Sequence, residues 1–283
     1  MERFLVNWYE RNVELIDKYQ PDLIYFDNGV DQRYLDPLKL QIAAYYYNRA
    51  KSWGKQVSFT TKKAAFAPSG TNTKTIASII DFEGGPPDGI RGGSWVVDRP
   101  ISSNSWGYVD GMKANSAETV IGWLVDTVSK NGTLLLNVSP KADGTIPQDQ
   151  QDTLLAIGKW LEVNGDAIYD THAWTKFEEK GNEHIYFTVK EQNLYAIIMG
   201  KSAGAELAIH SLPSGGEAGT VRTVTLLGSG PLHYKQDAAG LTITLPDASE
   251  RKESFVLKIE GLKTNPDMNT DSGNPACDCG LTH

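Results

Sequence analysis

The sequence predicts an α/β chain with parallel strands, a (β/α) barrel of the TIM-like type, followed by an antiparallel β-sandwich. Three observations carry that expectation. In the first part, short apolar runs alternate with longer segments whose apolar residues recur at helical spacing. Those short runs are near-continuous, as in strands covered by helices on both faces. From about Ile168 onward the helical period is lost, and short strands separated by Gly, Asn and Pro turns remain.

The elements follow in order. "MERFLVNWYERNVELIDKY" reads as an amphipathic helix, with Phe4, Leu5, Trp8, Leu15, Ile16 and Tyr19 as its inner residues. Pro21 breaks it, and Leu23–Phe26 reads as a buried strand. Pro37 opens a helix to about Trp53, with Leu40, Ala43, Ala44, Tyr47 and Ala50 facing inward, and Gly54 stops it. Val57–Thr61 is the next strand, and Ala77–Phe82 follows an irregular stretch, "KKAAFAPSGTNTK". A Gly/Pro cluster leads to a strand at Ser94–Ile101. Ser116 then caps a helix to Ser129, with Val120, Ile121, Leu124, Val125 and Val128 inward. Leu134–Val138 is a strongly apolar strand. Pro147 starts a helix to about Asn164, with Leu154, Leu155, Ile157, Trp160 and Leu161 inward. The strands expected beyond are His184–Lys190, Leu194–Met199, Glu206–Ile209, Thr220–Leu226, Leu241–Leu245 and Ser254–Ile259. The expected division is a barrel segment over 1–169, a sandwich over 170–262 and a flexible, polar tail over 263–283.

Composition narrows the function classes. The formal net charge is −8 and no Lys/Arg run stands out, which argues against a nucleic-acid partner. No segment reaches membrane-spanning length, and the N-terminus has charges throughout and no apolar signal-peptide core, so cellular address is left open. Seven Trp and twelve Tyr suit sugar stacking or an aromatic core equally well. Cys277 and Cys279, one residue apart, are poorly placed for a disulfide. With His283 they fall short of the four ligands of structural zinc, so no metal site is expected. Asn131-Gly-Thr and Asn137-Val-Ser match a glycosylation pattern, discounted at Asn137 because it closes a strand. No nucleophile elbow, phosphate loop or dinucleotide fingerprint is present, and all five histidines lie beyond the barrel segment.

In a (β/α) barrel, reactive residues stand at the C-terminal ends of strands. Asp27 stands where one predicted strand ends, and Glu83 follows another. Two carboxylates facing one cavity are what glycoside hydrolysis uses, one as nucleophile or base and the other as acid. The alternative is structural: Asp27 capping a loop, and Glu83 paired with Lys62 or Arg91. Lys62, Lys63, Trp95, Asp98 and Trp106 share the expected rim. Lys62 suits a sugar hydroxyl or a carboxylate, and Trp95 suits sugar stacking or the core.

Several segments resemble family 29 α-L-fucosidases. "ELIDKYQPDLIYFDNG" is similar to the segment that carries that family's nucleophile, and "IIDFEGG" to the one that supplies the acid/base in one of its branches. "SWVVDRPISSNSWGY" resembles the aromatic strand and loop that follow. "GTLLLNVSPKADGTIPQDQQDTLLAIGKWLEVNGDAIYDT" resembles the end of the catalytic barrel. The resemblance implies Asp27 as nucleophile and Glu83 as general acid/base, with Asp98 in reserve. It implies Lys62 or Lys63 and an aromatic wall at Trp95 along the sugar site, where Phe26 and Trp106 are also expected. It further implies retaining release of terminal α-L-fucose from a fucosylated glycan or aryl fucoside, through a covalent intermediate and without metal or other cofactor. Family members are often periplasmic, secreted or lysosomal. About five strands are counted here toward the eight of a complete barrel, and the fucose-holding histidines that precede the nucleophile in the family have no counterpart. A homo-oligomer that covers the open barrel edges is therefore expected. Competing readings are a non-catalytic carbohydrate-binding protein and an assembly fragment without a ligand.

Overall fold

The computed structural model describes residues 1–62, 65–66, 78–181, 183–200, 205–247 and 254–264. Lys63, both cysteines, His283 and the polar tail beyond Thr264 lie outside the described residues. The described chain divides into two compact units. One comprises Met1–Glu83 and Ser94–Val96; the other comprises Gly84–Gly93 and the residues from Val97 onward.

The first unit opens with helix α1 (Glu2–Tyr19), strand β1 (Leu23–Phe26) and helix α2 (Asp36–Trp53). Strands β2 (Ser58–Lys62) and β3 (Ile79–Asp81) follow, then the start of β4 (Trp95–Pro100). Gly54 ends α2 in the left-handed region, at φ 69°, where a side chain would be strained. The strands are parallel, with Phe26 opposite Thr61, Lys62 opposite Asp81 and Ile80 opposite Trp95. A strand's side chains alternate between faces. Ile24, Phe26 and Phe59 turn toward the helices and pack with Ile16, Ile42, Tyr46 and Phe66. Tyr25, Thr60, Lys62 and Asp81 therefore share the opposite face.

Both helix stripes are rotated from expectation. On α1 the buried residues are Asn12 and Ile16, while Phe4, Leu15 and Tyr19 are exposed. On α2 they are Lys39, Ile42, Tyr46 and Ala50, and Leu40 is 73% exposed. Lys39 tolerates burial because its ammonium meets Asp36 at 2.7 Å and the Ala65 carbonyl at 2.8 Å.

The second unit continues β4 and adds α3 (Ala117–Ser129), β5 (Thr133–Asn137) and α4 (Gln148–Asn164). Ser116 caps α3 as expected, accepting from the Thr119 amide at 3.2 Å. Strand order follows the chain, β1-β2-β3-β4-β5. Parallel strands in unreversed order are the topology of a (β/α) barrel rather than of a doubly wound sheet, whose order turns back.

Among the described residues, nine strands complete the second unit. They are β6 (His172–Lys180), β7 (His184–Lys190), β8 (Asn193–Met199), β9 (Glu206–Ile209), β10 (Thr223–Leu226), β11 (Gly230–Pro231), β12 (Tyr234–Asp237), β13 (Gly240–Thr244) and β14 (Phe255–Glu260). They form a six-stranded sheet, β11-β10-β14-β8-β7-β6, and a three-stranded sheet, β12-β13-β9, antiparallel throughout. The expected fold class, parallel α/β strands followed by antiparallel sheets, is what the chain adopts. Strands β6, β11 and β12 were not expected. β6 is polar and its register shifts between Ala173 and Glu178, which breaks its alternation.

The six-stranded sheet is covered on both faces. Ile185, Phe187, Ala196, Ile198, Leu257 and Ile259 meet Leu207, Ile209, Leu241 and Ile243 of the smaller sheet. Their neighbours Tyr186, Tyr195, Ile197 and Val256 pack instead on Val120, Ile121 and Val125 of α3 and on Ile157 and Trp160 of α4. One core thus joins the last α/β helices to the sandwich, although the change from α/β to all-β structure falls beside Thr171.

Candidate active site

Strand β1 ends at Phe26 because the chain turns at once. The Asn28 amide donates to Asp27 Oδ1 at 2.7 Å, and Gly29 takes φ 95°, a conformation that favours glycine. The turn closes with Gln32 N–H on the Gly29 carbonyl at 3.3 Å. This leaves the Asp27 carboxylate exposed at the C-terminal end of β1.

Beside it, β2 ends in Lys62. The Lys62 ammonium lies 3.4 Å from Asp81 Oδ2 and 3.1 Å from Glu83 Oε2. Lys62 is 8% exposed and Asp81 fully buried, whereas Glu83 is 54% exposed. Tyr25, two residues before Asp27, donates its hydroxyl to Asp81 Oδ2 at 2.8 Å, reaching from β1 to β3. Three adjacent strand ends are thereby tied together. Strand spacing of about 4.8 Å sets the β1 and β3 backbones about 10 Å apart, and Glu83 leans back over the strand between them.

The buried Asp81–Lys62 pair ties the end of β2 to that of β3, and neither buried charge tolerates the loss of the other. Glu83 and Asp27 are the outer, solvent-facing acids. Among the described residues no group of three or more His, Cys, Asp or Glu is placed to hold a metal ion.

The first unit brings Asp27, Lys62 and Glu83 to neighbouring strand ends. Two aromatic residues are corrected. Phe26 is 8% exposed and stacks on Phe59 and Phe66, with centroids at 5.6 and 5.7 Å. Trp95 is 2% exposed, meets Phe82 edge-on at 5.7 Å and is in register with Ile80. Both lie on the helix-covered face, opposite to Lys62 and Asp81, so they are core residues rather than sugar contacts. Trp106 and Asp98 belong to the second unit. The Trp106 side chain is 41% exposed, while its carbonyl accepts from Asn137 Nδ2 at 2.7 Å and Ser139 Oγ at 3.0 Å. Asp98 is 6% exposed. Tyr25 and Asp81 were missed by sequence reasoning. The signal was there: stepping back two residues from Asp27 and from Glu83 reaches each of them on the same strand.

Exposed acids and a nearly buried cation thus stand at the C-terminal ends of parallel strands. Residues 1–166 match the family model described as alpha-L-fucosidase, and residues 178–260 match that of the alpha-L-fucosidase C-terminal domain. The chain belongs to the alpha-L-fucosidase family. Human tissue alpha-L-fucosidase is 33% identical over 186 residues, covering 62% of this chain and 39% of the human protein. The Branchiostoma floridae alpha-L-fucosidase is 26% identical over 268 residues, 88% of this chain and 56% of that protein. The crystal structure of Thermotoga maritima alpha-fucosidase in complex with fucose superposes with a TM-score of 0.74 at 30% identity, covering 92% of this chain and 57% of that one. The chain thus spans between 39% and 57% of the length of these relatives.

Proposed function

We propose that the chain carries the catalytic carboxylates of a retaining α-L-fucosidase, with Asp27 as nucleophile and Glu83 as general acid/base. The observation that supports this reading is the placement of Asp27, Lys62 and Glu83 at the ends of three successive parallel strands. Asp27 attacks the anomeric carbon, and a bond forms from its carboxylate oxygen to that carbon. The bond to the leaving oxygen breaks, and Glu83 gives that oxygen its proton. In the second half, Glu83 takes a proton from water. The water oxygen attacks the same carbon and releases Asp27, so configuration is retained. Lys62, anchored by Asp81, positions Glu83. The substrate class is a terminal α-L-fucoside, in a glycan or an aryl glycoside. Strands β1 and β5 stand at the two ends of the sheet order, and Leu23 and Leu135 there are 47% and 46% exposed. This reading assigns a second copy of the chain to cover those edges.

The test is release of nitrophenol from an aryl α-L-fucoside. Asp27→Ala is expected to abolish it. Glu83→Ala is expected to lower hydrolysis of natural linkages by about 10²–10⁴-fold. An activated leaving group, or azide, is expected to restore part of the rate. Full activity of Asp27→Ala would end the reading. A second reading, glycan binding without turnover, is favoured by the Lys62–Glu83 ion pair, which also has a purely structural sense. Fucoside binding by a parent protein that releases no nitrophenol would select it.

A further inference from the structure

The second unit contains a cleft of about 720 Å³ between α3 and the β6–β7 hairpin. None of its lining residues belongs to the Asp27–Lys62–Asp81–Glu83 group. Trp123, Phe177 and Tyr186 supply aromatic surface; Asp88, Glu118, Asp126 and Glu178 supply carboxylates, Lys130 and Lys180 ammonium groups, and His184 an imidazole. Its size falls in the usual range for small-molecule sites.

Some of these groups pair with one another, and Asp88 and Glu118 add two further carboxylates. Lys130 meets Asp126 at 2.8 Å, Lys180 meets Glu178 at 2.9 Å, and His184 Nε2 lies 2.6 Å from Glu178. Burial works against ionisation of Glu178, yet Lys180 and His184 hold its carboxyl below the ordinary range. An anionic ligand would meet the carboxylates of Asp88, Glu118, Asp126 and Glu178. An apolar ligand would leave their polar atoms dry and uncompensated. A neutral polyol avoids both costs, because it carries no charge and each hydroxyl both donates and accepts.

The aromatic groups are held for such a guest. The Arg99 guanidinium sits 4.8 Å over the Trp123 ring, and the Lys130 ammonium 4.9 Å over Phe177. The His184 ring lies 4.2 Å from that of Tyr186. All three rings line the cleft, together with Lys130 and His184. Tyr186 carries the most telling atom. It is 8% exposed, it lines the cleft, and among the described residues its hydroxyl has no hydrogen-bond partner. Burial, with Asp126 and Glu178 nearby, pushes its ionisation upward, so the phenol keeps its proton and stays a donor. The hydroxyl opens to the cleft rather than being sealed in the core, so a sugar oxygen can accept from it there.

We propose that this cleft is an auxiliary binding site for a neutral oligosaccharide, with Tyr186 donating to a sugar hydroxyl and Phe177 and Trp123 stacking on sugar faces. It stands independently of the roles assigned to Asp27 and Glu83. Its probes are therefore lactose and cellotriose, which carry no fucose. Saturation-transfer NMR is expected to show saturable binding of at least one of them by the parent protein and equally by Asp27→Ala. Tyr186→Phe, nearly isosteric, is expected to weaken it by about tenfold, the worth of one hydrogen bond. Phe177→Ala is expected to remove it, with melting curves verifying that both variants fold. Absence of saturable binding to both sugars would overturn the proposal. So would unchanged affinity in a folded Tyr186→Phe protein, or displacement of the sugar by inorganic phosphate, which would mark an anion site.

Discussion

Lys62 holds together the ends of β2 and β3. Its ammonium is nearly buried between a fully buried carboxylate and a half-exposed one. Removing a partner from a buried ion pair leaves the other charge uncompensated, at a cost of about 3–5 kcal/mol. Lys62→Met is therefore expected to lower unfolding stability by about that amount, read from urea denaturation. Stability equal to the parent would show that Asp81 does not depend on Lys62. Asp27 and Lys62 were legible in the sequence because each closes a run of strand-forming residues before a turn or an irregular stretch. Asp81 and Tyr25 were not singled out, since an acid next to Phe82-Glu83 and a tyrosine inside an apolar run look ordinary. Phe26 and Trp95 were misread for the converse reason: aromatic character drew them toward sugar contact, whereas the two-residue alternation sets them on the helix-covered face.

At the scale of elements, the β6 strand shows how a polar segment earns a place beside an apolar sheet. Glu179, on β6, is 8% exposed. It accepts from the amides of His210 and Ser211 at 2.8 Å each and from the Ser211 hydroxyl. Burial opposes its ionisation, but the Ser211 hydroxyl, those two amides and Lys176 prevail and hold the carboxyl below its ordinary value. A carboxyl depressed by folding stabilises the native state above its unfolded pKa, and that contribution is lost as pH falls through the folded value. The parent is thus expected to lose stability as pH drops below the ordinary glutamate range, about 4.3. Glu179→Gln is expected to be less stable near neutrality and flatter across that acid limb, followed by thermal unfolding against pH. Parallel pH profiles for the two proteins would contradict the assignment. The α1 and α2 stripes were harder to read than β6. α2 carries Leu40, Ile42, Ala43, Tyr45, Tyr46 and Tyr47 almost all the way round, so more than one face satisfies the helical period. Packing with Phe59 and Ile16 selects the Ile42–Tyr46 face, and a lysine paired at Asp36 joins it.

For the molecule as a whole, the succession of α/β and then all-β structure was legible from periodicity, but the shared core was not. Nothing local to Tyr186, Ile197 or Val256 tells which element will cover them. Only the packed structure shows that α3 and α4 do, while the next residues along each strand face the second sheet. The same limit applies to the sheet's outer strands. Leu23 and Leu135 belong to strands that read as buried, yet they are about half exposed. Apolar parallel edges of this kind favour pairing with another chain. Static light scattering is expected to give at least twice the chain mass, with the mass falling on dilution or after Leu135→Lys. A monomer at all concentrations would contradict self-association and leave the catalytic reading to be judged separately.

The catalytic reading stands or falls on Asp27 forming a bond to sugar. A 2-deoxy-2-fluoro-α-L-fucosyl fluoride loses fluoride readily, while its 2-fluorine slows release of the bound sugar. Intact-mass spectrometry of the protein treated with it is expected to show the gain of one fluorofucosyl group, and peptide mapping to place that group on Asp27. A protein that stays unlabelled, or carries the label on another residue, would contradict the account.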